Sequence, residues 1–279
     1  KFLENNKIKI NAAFVCTPSS MHVNQALWCL KNDINVFIEK PVATNIKDLN
    51  KIKKLIKKKP RLINLVGYQL RFNPLINFIK NFCFDKKKLG EIYNCEIFHG
   101  EHVNKFHSYE GYESSYSSRR NLGGGIVLTQ IHELDYLNFF FNNHKLKKKY
   151  FFSKKISKLN LDVEDNYVSI FNFVSKKNKK ISTFAKVTCS FMQVPRKRTI
   201  FISCQKGSVF ADLVTNQIKI LRPEKKTIIK KFSFDKNELF LKEMKNFLEL
   251  IKTKRKCKRY LPNILEDRNT NKLAIDMKI

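Results

Sequence analysis

Two side chains in this sequence have the chemistry to move a proton at a carbon-bound hydroxyl. Lys40 stands in Phe37-Ile38-Glu39-Lys40-Pro41, directly after an apolar run that reads as a buried strand, where a lysine has few structural reasons to be. There it can donate to a substrate hydroxyl and, once desolvated, give up its proton more readily and act as an acid or base. A surface lysine in a lysine-rich chain is the plain alternative, and the following proline, with its access to a cis bond, weighs against it. His132 is the second candidate. Thr129, His132 and Tyr136 are spaced i, i+3 and i+7, on one face of a helix otherwise made of Val127, Leu128, Ile131, Leu134 and Leu137. A lone histidine on such a face is more often a satisfied core residue. Asp135 reads equally as a structural hydrogen-bonder and as a catalytic group.

The elements that position these residues follow from the apolar pattern. Ala12 to Cys16 reads as a strand, His22 to Lys31 as a helix and Asn35 to Ile38 as a second buried strand. A helix over Ile46 to Lys59, stopped by Pro60, leads to a third strand over Leu62 to Val66. Strands alternating with single helices imply a parallel, doubly wound sheet that binds ligands at the carboxyl ends of its strands. Those ends carry Thr17-Pro18-Ser19-Ser20, Glu39-Lys40-Pro41 and Gly67-Tyr68. From about residue 90 longer strands appear, over Glu91 to His99, Asn166 to Val174, Ile181 to Ser190 and Thr199 to Cys204, with a helix after Gly125. This is an α+β layout with a mainly antiparallel sheet. A terminal helix over Glu238 to Lys252 places Leu239, Leu241, Met244, Phe247, Leu248 and Ile251 on one broad face that packs back on the core. The expected division is 1–68 and 69–279.

Composition narrows the class. A length of 279 residues, 43% hydrophobic and with 24 Phe, supports real cores. The apolar runs are too short to span a bilayer and no signal-like segment opens the chain, so a soluble cytoplasmic protein away from membranes is expected. The seven cysteines are scattered singly without a zinc spacing, so they are expected reduced, with no metal site. The net charge of +31 would ordinarily suggest nucleic acid. However, only 10 of the 55 basic residues are Arg, and the Lys are spread along the chain. Lys47, Lys51, Lys54 and Lys58 form the solvated face of one helix, so no specific nucleic-acid partner is expected.

Thr17-Pro18-Ser19-Ser20 with His22, Glu39-Lys40-Pro41, Gly67-Tyr68-Gln69-Leu70-Arg71-Phe72-Asn73-Pro74 and Leu89-Gly90-Glu91-Ile92 resemble, in order and spacing, successive signatures of the Gfo/Idh/MocA oxidoreductases. The resemblance continues through Tyr116 to Gly125 and Thr129-Gln130-Ile131-His132-Glu133-Leu134-Asp135-Tyr136. It implies a partial Rossmann-type sheet followed by the α+β domain, NAD or NADP as cofactor, and hydride transfer at a sugar carbon, with Lys40 and His132 catalytic. Thr17, Pro18, Ser19, His22, Glu39, Lys40 and Pro41 are then expected at the cofactor. Tyr68, Arg71, His107, Tyr116, Arg119 and Thr129 are expected at the substrate, the loop residues His107 to Arg120 suiting a polyhydroxylated or anionic sugar. Arg71 reads equally as an anion clamp and as a domain tie. Thr129 stands where this branch has an aspartate, and it cannot hold a negative charge. The resemblance also implies a homo-oligomer, dimer or tetramer, and this branch is frequent in surface-sugar biosynthesis. No Gly-x-Gly-x-x-Gly occurs and residue 1 is Lys, which leads to the expectation that the first dinucleotide-binding strands lie outside this sequence. A non-catalytic sugar-binding or scaffold protein is the alternative reading.

Overall fold

A computed structural model describes residues 9–106 and 110–278. His107 and Tyr109, both in the candidate substrate loop, lie outside the described residues.

The chain opens with β1 (Ala12–Val15), α1 (His22–Lys31), β2 (Asn35–Glu39), α2 (Ile46–Lys58) and β3 (Asn64–Gly67). The three strands form a parallel sheet in the order β1-β2-β3, with Phe14 opposite Phe37 and Glu39 opposite Gly67. Local chemistry fixes the helices. Asn45 caps α2 by accepting the Asp48 N–H at 2.9 Å, Asp48 sits at the positive end, and Lys57 and Lys58 sit at the negative end. Asn73 caps the next helix, α3 (Pro74–Cys83), accepting from Leu75 N–H at 2.8 Å, with Pro74 in the first turn where no N–H is needed.

The second sheet is built from β4 (Ile92–Gly100), β5 (His144–Lys154), β6 (Asn166–Ser175), β7 (Ser182–Ser190), β8 (Lys197–Cys204), β9 (Gly207–Asp212), β10 (Gln217–Arg222) and β11 (Lys225–Lys231). Its order is β11-β10-β9-β8-β4-β7-β6-β5, and only the β4–β7 pair is parallel. Between β4 and β5 lie α4 (Ile126–Thr129) and α5 (His132–Phe140), covering the inner face of the sheet.

Three sequence expectations need correction. The helix after Gly125 is not continuous: Gln130, at φ −101° and ψ 36°, leaves the helical region and separates α4 from α5. The helix over 238–252, here α6 (Lys236–Lys252), is not the last, because α7 (Ile264–Met277) follows it. Its packed face is also rotated. Leu239, Glu243, Asn246, Phe247 and Leu250 are buried, whereas Leu241, Met244 and Leu248 are exposed.

Both C-terminal helices return to the first sheet. Phe247 of α6 is fully buried, with ring centroids 5.3 Å from Phe14 and 5.8 Å from Phe37. The outer edge of β3 is closed by Val66 N–H donating to Pro262 O at 3.0 Å. Asn271 of α7 accepts the Ala43 N–H at 2.8 Å and donates to Ala43 O at 3.0 Å, pinning the segment after Pro41. The turn carrying Lys40 is therefore held from both ends of the chain.

Candidate active site

The carboxyl ends of β1 and β2 meet at one imidazole. His22 is buried, with Nδ1 2.7 Å from Pro41 O and Nε2 2.8 Å from Thr17 O. Burial holds the ring below its ordinary range, so the neutral imidazole has one N–H and donates to one of these two carbonyls, and His22 acts on anything bound there through the backbone it holds. Thr17 donates its hydroxyl to Gln25 Oε1 at 2.9 Å, and Ser19 is buried. The Lys40–Pro41 bond is cis.

The break at Gln130 has a chemical consequence. In an unbroken helix the Thr129 carbonyl would accept the Glu133 N–H. Here Glu133 N–H instead donates to Gln130 O at 3.4 Å, and the Thr129 carbonyl accepts Lys40 Nζ at 2.8 Å. The end of β2 is thereby joined to the α4–α5 junction. Beside this bond the Thr129 hydroxyl and His132 Nδ1 are both buried with no hydrogen-bond partner among the described residues. A buried polar atom without a partner is costly unless a ligand completes it. Burial, the Lys40 ammonium and the Arg198 guanidinium hold the His132 imidazole well below its ordinary range, so it is neutral near pH 7.

Two further candidates are occupied by protein partners. Tyr68 is buried, its ring centroid 5.7 Å from that of His132 in an edge-on arrangement, and its hydroxyl donates to Asp267 Oδ1 of α7 at 2.8 Å. Arg71 makes a fork with Asp135, Nε to Oδ2 and Nη2 to Oδ1, each 2.7 Å. The geometry favours the domain tie over the anion clamp, because this fork spends the face a ligand carboxylate would use. In the loop, Tyr116 is half-buried and Arg119 Nε donates to Glu113 O at 2.6 Å. The turn Arg120–Leu122 packs on Ser19–Met21, so the loop closes on the end of β1. The loop ends at Gly123, at φ +85°, where a Cβ would lie 2.5 Å from Thr44 and 2.9 Å from the Ser19 side chain. Only glycine allows that approach. A separate cavity of about 730 Å³ lies among α5, β5, β6 and α7; Arg71 and Asp267 line it, but Lys40, Thr129 and His132 do not.

Sequence reasoning missed Glu243. It is fully buried on α6, neither carboxyl oxygen has a hydrogen-bond partner among the described residues, and burial together with the Glu39 carboxylate pushes it up to about 9. Burial likewise pushes Glu39 up, against the pull of the Lys40 charge. Glu243 binds a proton on folding, so its stability contribution is complete below about 4.5 and is lost as pH rises toward 9. The variant E243Q should be more stable than wild type at pH 7, by up to about 3 kcal/mol, with the difference growing from pH 5 to 8. Urea unfolding at several pH values measures this, and a pH-independent difference would contradict it.

The residues present fit a pyridine dinucleotide and a hydroxylated substrate. The parallel strands end at Val15, Glu39 and Gly67, so Thr17 and Lys40 stand in the turns just beyond them, and the unpartnered Thr129 hydroxyl and His132 nitrogen lie beside the Lys40 contact. Residues 2–68 match the model of the oxidoreductase family with an NAD-binding Rossmann fold. A 72-residue stretch is 33% identical to a 4-carboxy-2-hydroxymuconate-6-semialdehyde dehydrogenase of Sphingobium sp., covering 26% of this chain and 22% of that protein. An inositol dehydrogenase homologue from Azotobacter vinelandii, complexed with NAD+, superposes with a TM-score of 0.83 at 13% identity, over 99% of this chain and 78% of that one. Levoglucosan dehydrogenase with NADH and levoglucosan gives 0.78 at 13% identity, over 96% and 76%. UDP-N-acetylglucosamine 3-dehydrogenase from Acidithiobacillus ferrooxidans gives 0.72 at 14%, over 96% and 77%. These findings support the expected NAD or NADP cofactor. Residues 2–68 thus match the NAD-binding part of the Gfo/Idh/MocA oxidoreductase family, and the chain as a whole shares the fold of these solved structures.

Proposed function

We propose that the protein transfers a hydride between NAD or NADP and a hydroxyl-bearing carbon of a sugar or nucleotide sugar. The observation that carries this reading is the meeting of Lys40, the Thr129 hydroxyl and His132 Nδ1 at the carboxyl end of the parallel sheet. The structural neighbours named for inositol, levoglucosan and UDP-N-acetylglucosamine favour a polyhydroxylated substrate. A part in surface-polysaccharide synthesis is the finer reading, carried by the sequence resemblance alone.

Within this reading each residue has a task. Thr17, Pro18, Ser19, Glu39 and Pro41 form the cradle for the dinucleotide, with His22 holding its two turns in register. When bound, the nicotinamide supplies or accepts the hydride. Lys40 orients the reacting hydroxyl, and neutral His132 takes up or returns its proton. Thr129 offers a hydrogen bond to the substrate, while Tyr68, Tyr116 and Arg119, with the loop bearing His107, shape its pocket. Tyr68 and Arg71 keep the two domains aligned through Asp267 and Asp135.

The outer face of the large sheet presents Tyr150, Phe152, Ile170 and Phe184, all exposed, and Phe152 is 78% exposed. A sheet face this apolar favours a homo-oligomer, a dimer or tetramer through that face. Seven free cysteines fit a reducing, cytoplasmic setting. Among the described residues no helix is long and apolar enough to cross a membrane.

The test is a fluorescence titration of the protein, expressed from its complete reading frame, with NADH and NADPH. Saturable binding is expected. A folded protein that binds neither would favour the sugar-binding or scaffold alternative, the reading that Thr129 in place of a carboxylate also suggests.

A further inference from the structure

The cavity of about 730 Å³ among α5, β5, β6 and α7 has no task in hydride transfer, yet its volume is that of a small-molecule site. One wall is aromatic. Phe141 stacks on Phe173 with ring centroids 4.5 Å apart, and Phe139 carries the Arg71 guanidinium 4.6 Å from its centroid. Asp267 lines the cavity from α7, and its two oxygens differ. Oδ1 accepts the Tyr68 hydroxyl at 2.8 Å, whereas Oδ2 is buried with no hydrogen-bond partner among the described residues. A bare oxygen of this kind is costly, and a ligand that completes it recovers the cost. Burial pushes the Asp267 carboxyl up to about 7, so near neutral pH Oδ2 donates or accepts according to its protonation. A hydroxyl satisfies either form.

The charged lining carries a positive surplus. Lys149 from β5 and Lys272 from α7 both donate to Asp276 Oδ2, at 2.8 and 2.9 Å, so two ammonium groups share one carboxylate. Lys176, just after β6, donates to the Asn142 carbonyl at 2.9 Å and to no carboxylate among the described residues. Arg71 and Arg259 are each matched, by Asp135 and Glu266. The surplus therefore rests on three lysines, compact point donors that suit the oxygens of a phosphate.

We propose that this cavity is a second ligand site and that it takes a sugar phosphate, its phosphate drawn by Lys149, Lys176 and Lys272 and a ring hydroxyl bound by Asp267 Oδ2. The aromatic wall receives the apolar face of the sugar. The inference does not depend on the dehydrogenase reading, because Lys40, Thr129 and His132 do not line the cavity. The two sites are nevertheless linked. Asp267 holds Tyr68, whose ring lies edge-on to His132, and Arg71 holds Asp135 on α5.

The test is isothermal titration calorimetry of the complete protein, without nucleotide, against glucose 1-phosphate, glucose 6-phosphate, glucose and inorganic phosphate. At least one hexose phosphate should bind saturably, about tenfold or more tighter than glucose or inorganic phosphate. The variant K176Q/K272Q keeps the Lys149–Asp276 pair and should weaken that binding by about 10- to 100-fold. D267A should weaken the hexose phosphate by about tenfold and leave inorganic phosphate unmoved, and K40A should change neither. If D267A fails to fold, the lysine variant and the comparison with inorganic phosphate still decide the matter. The proposal would be overturned by a protein that binds neither hexose phosphate, by inorganic phosphate binding as tightly as they do, or by binding that K40A abolishes and K176Q/K272Q retains.

Discussion

Replacing Lys40 by alanine should lower kcat/KM by about 10²- to 10⁴-fold, the range expected when a positioned acid–base group is removed. Two observations argue for a large effect with the fold intact. Lys40 makes one polar side-chain contact among the described residues, donating from Nζ to the Thr129 carbonyl at 2.8 Å, and the ammonium stands beside a neutral histidine. The turn itself is held by His22 and Asn271, which the substitution leaves in place. Unfolding by urea should therefore change by no more than about 1 kcal/mol, the usual worth of one hydrogen bond. Lys40→Arg keeps the charge but presents a planar fork where a point donor is needed, and it should recover little activity. A K40A protein with near wild-type turnover would remove Lys40 from the chemistry.

The largest stability loss is expected at Asp135. Its carboxylate receives both arms of Arg71 at 2.7 Å, and the Arg71 guanidinium also lies 4.6 Å from the Phe139 ring centroid. D135A removes the buried partner of Arg71 and should cost about 1.5–3 kcal/mol, the worth of hydrogen bonds to a charged group, because the guanidinium left behind lines the cavity beside α5 and reaches water there. Replacing both residues by apolar side chains of similar size, as in R71M/D135L, should cost much less. Denaturant midpoints of the two variants measure the difference. Equal losses would mean that the pair acts through contacts other than its charge. The same pair ties the segment after β3 to α5, so its loss should also loosen the alignment of Tyr68 with His132.

The first sheet is legible because its signals are local. Apolar runs of four or five residues alternate with the striped helix Ile46–Lys58, and Asn45 and Asn73 cap where side-chain chemistry predicts. The C-terminal helices mislead for the opposite reason. On α6 the apolar stripe is clear, yet the chain buries Glu243 and Asn246 and leaves Met244 and Leu248 in solvent. On α7 the buried face includes Asp267, Thr270 and Asn271, so no hydrophobic period marks it, although Asn263 and Glu266 form a capping box. The lysine-rich strand β11 is exposed at every position and has no alternation to read.

The site divides in the same way. Lys40 stands out because motif and strand end coincide, and Thr129 and His132 because they share one face of an apolar segment. The break at Gln130 carries neither glycine nor proline, so nothing in the sequence announces that the Thr129 carbonyl is free for Lys40. The pairing of Arg71 with Asp135, 64 residues apart, and of Arg198 with Glu133, 65 residues apart, depends on how the sheet and α5 meet. No spacing rule reaches that far.

Isotope transfer tests the central claim most directly. The complete protein would be incubated with NAD or NADP and a panel of sugars and nucleotide sugars deuterated at their carbinol carbons, and the reduced cofactor analysed by mass spectrometry. Deuterium from one substrate class should appear in the reduced nicotinamide with wild type and be nearly absent with K40A. A folded protein that binds the cofactor yet moves no deuterium from any of these substrates would contradict the account.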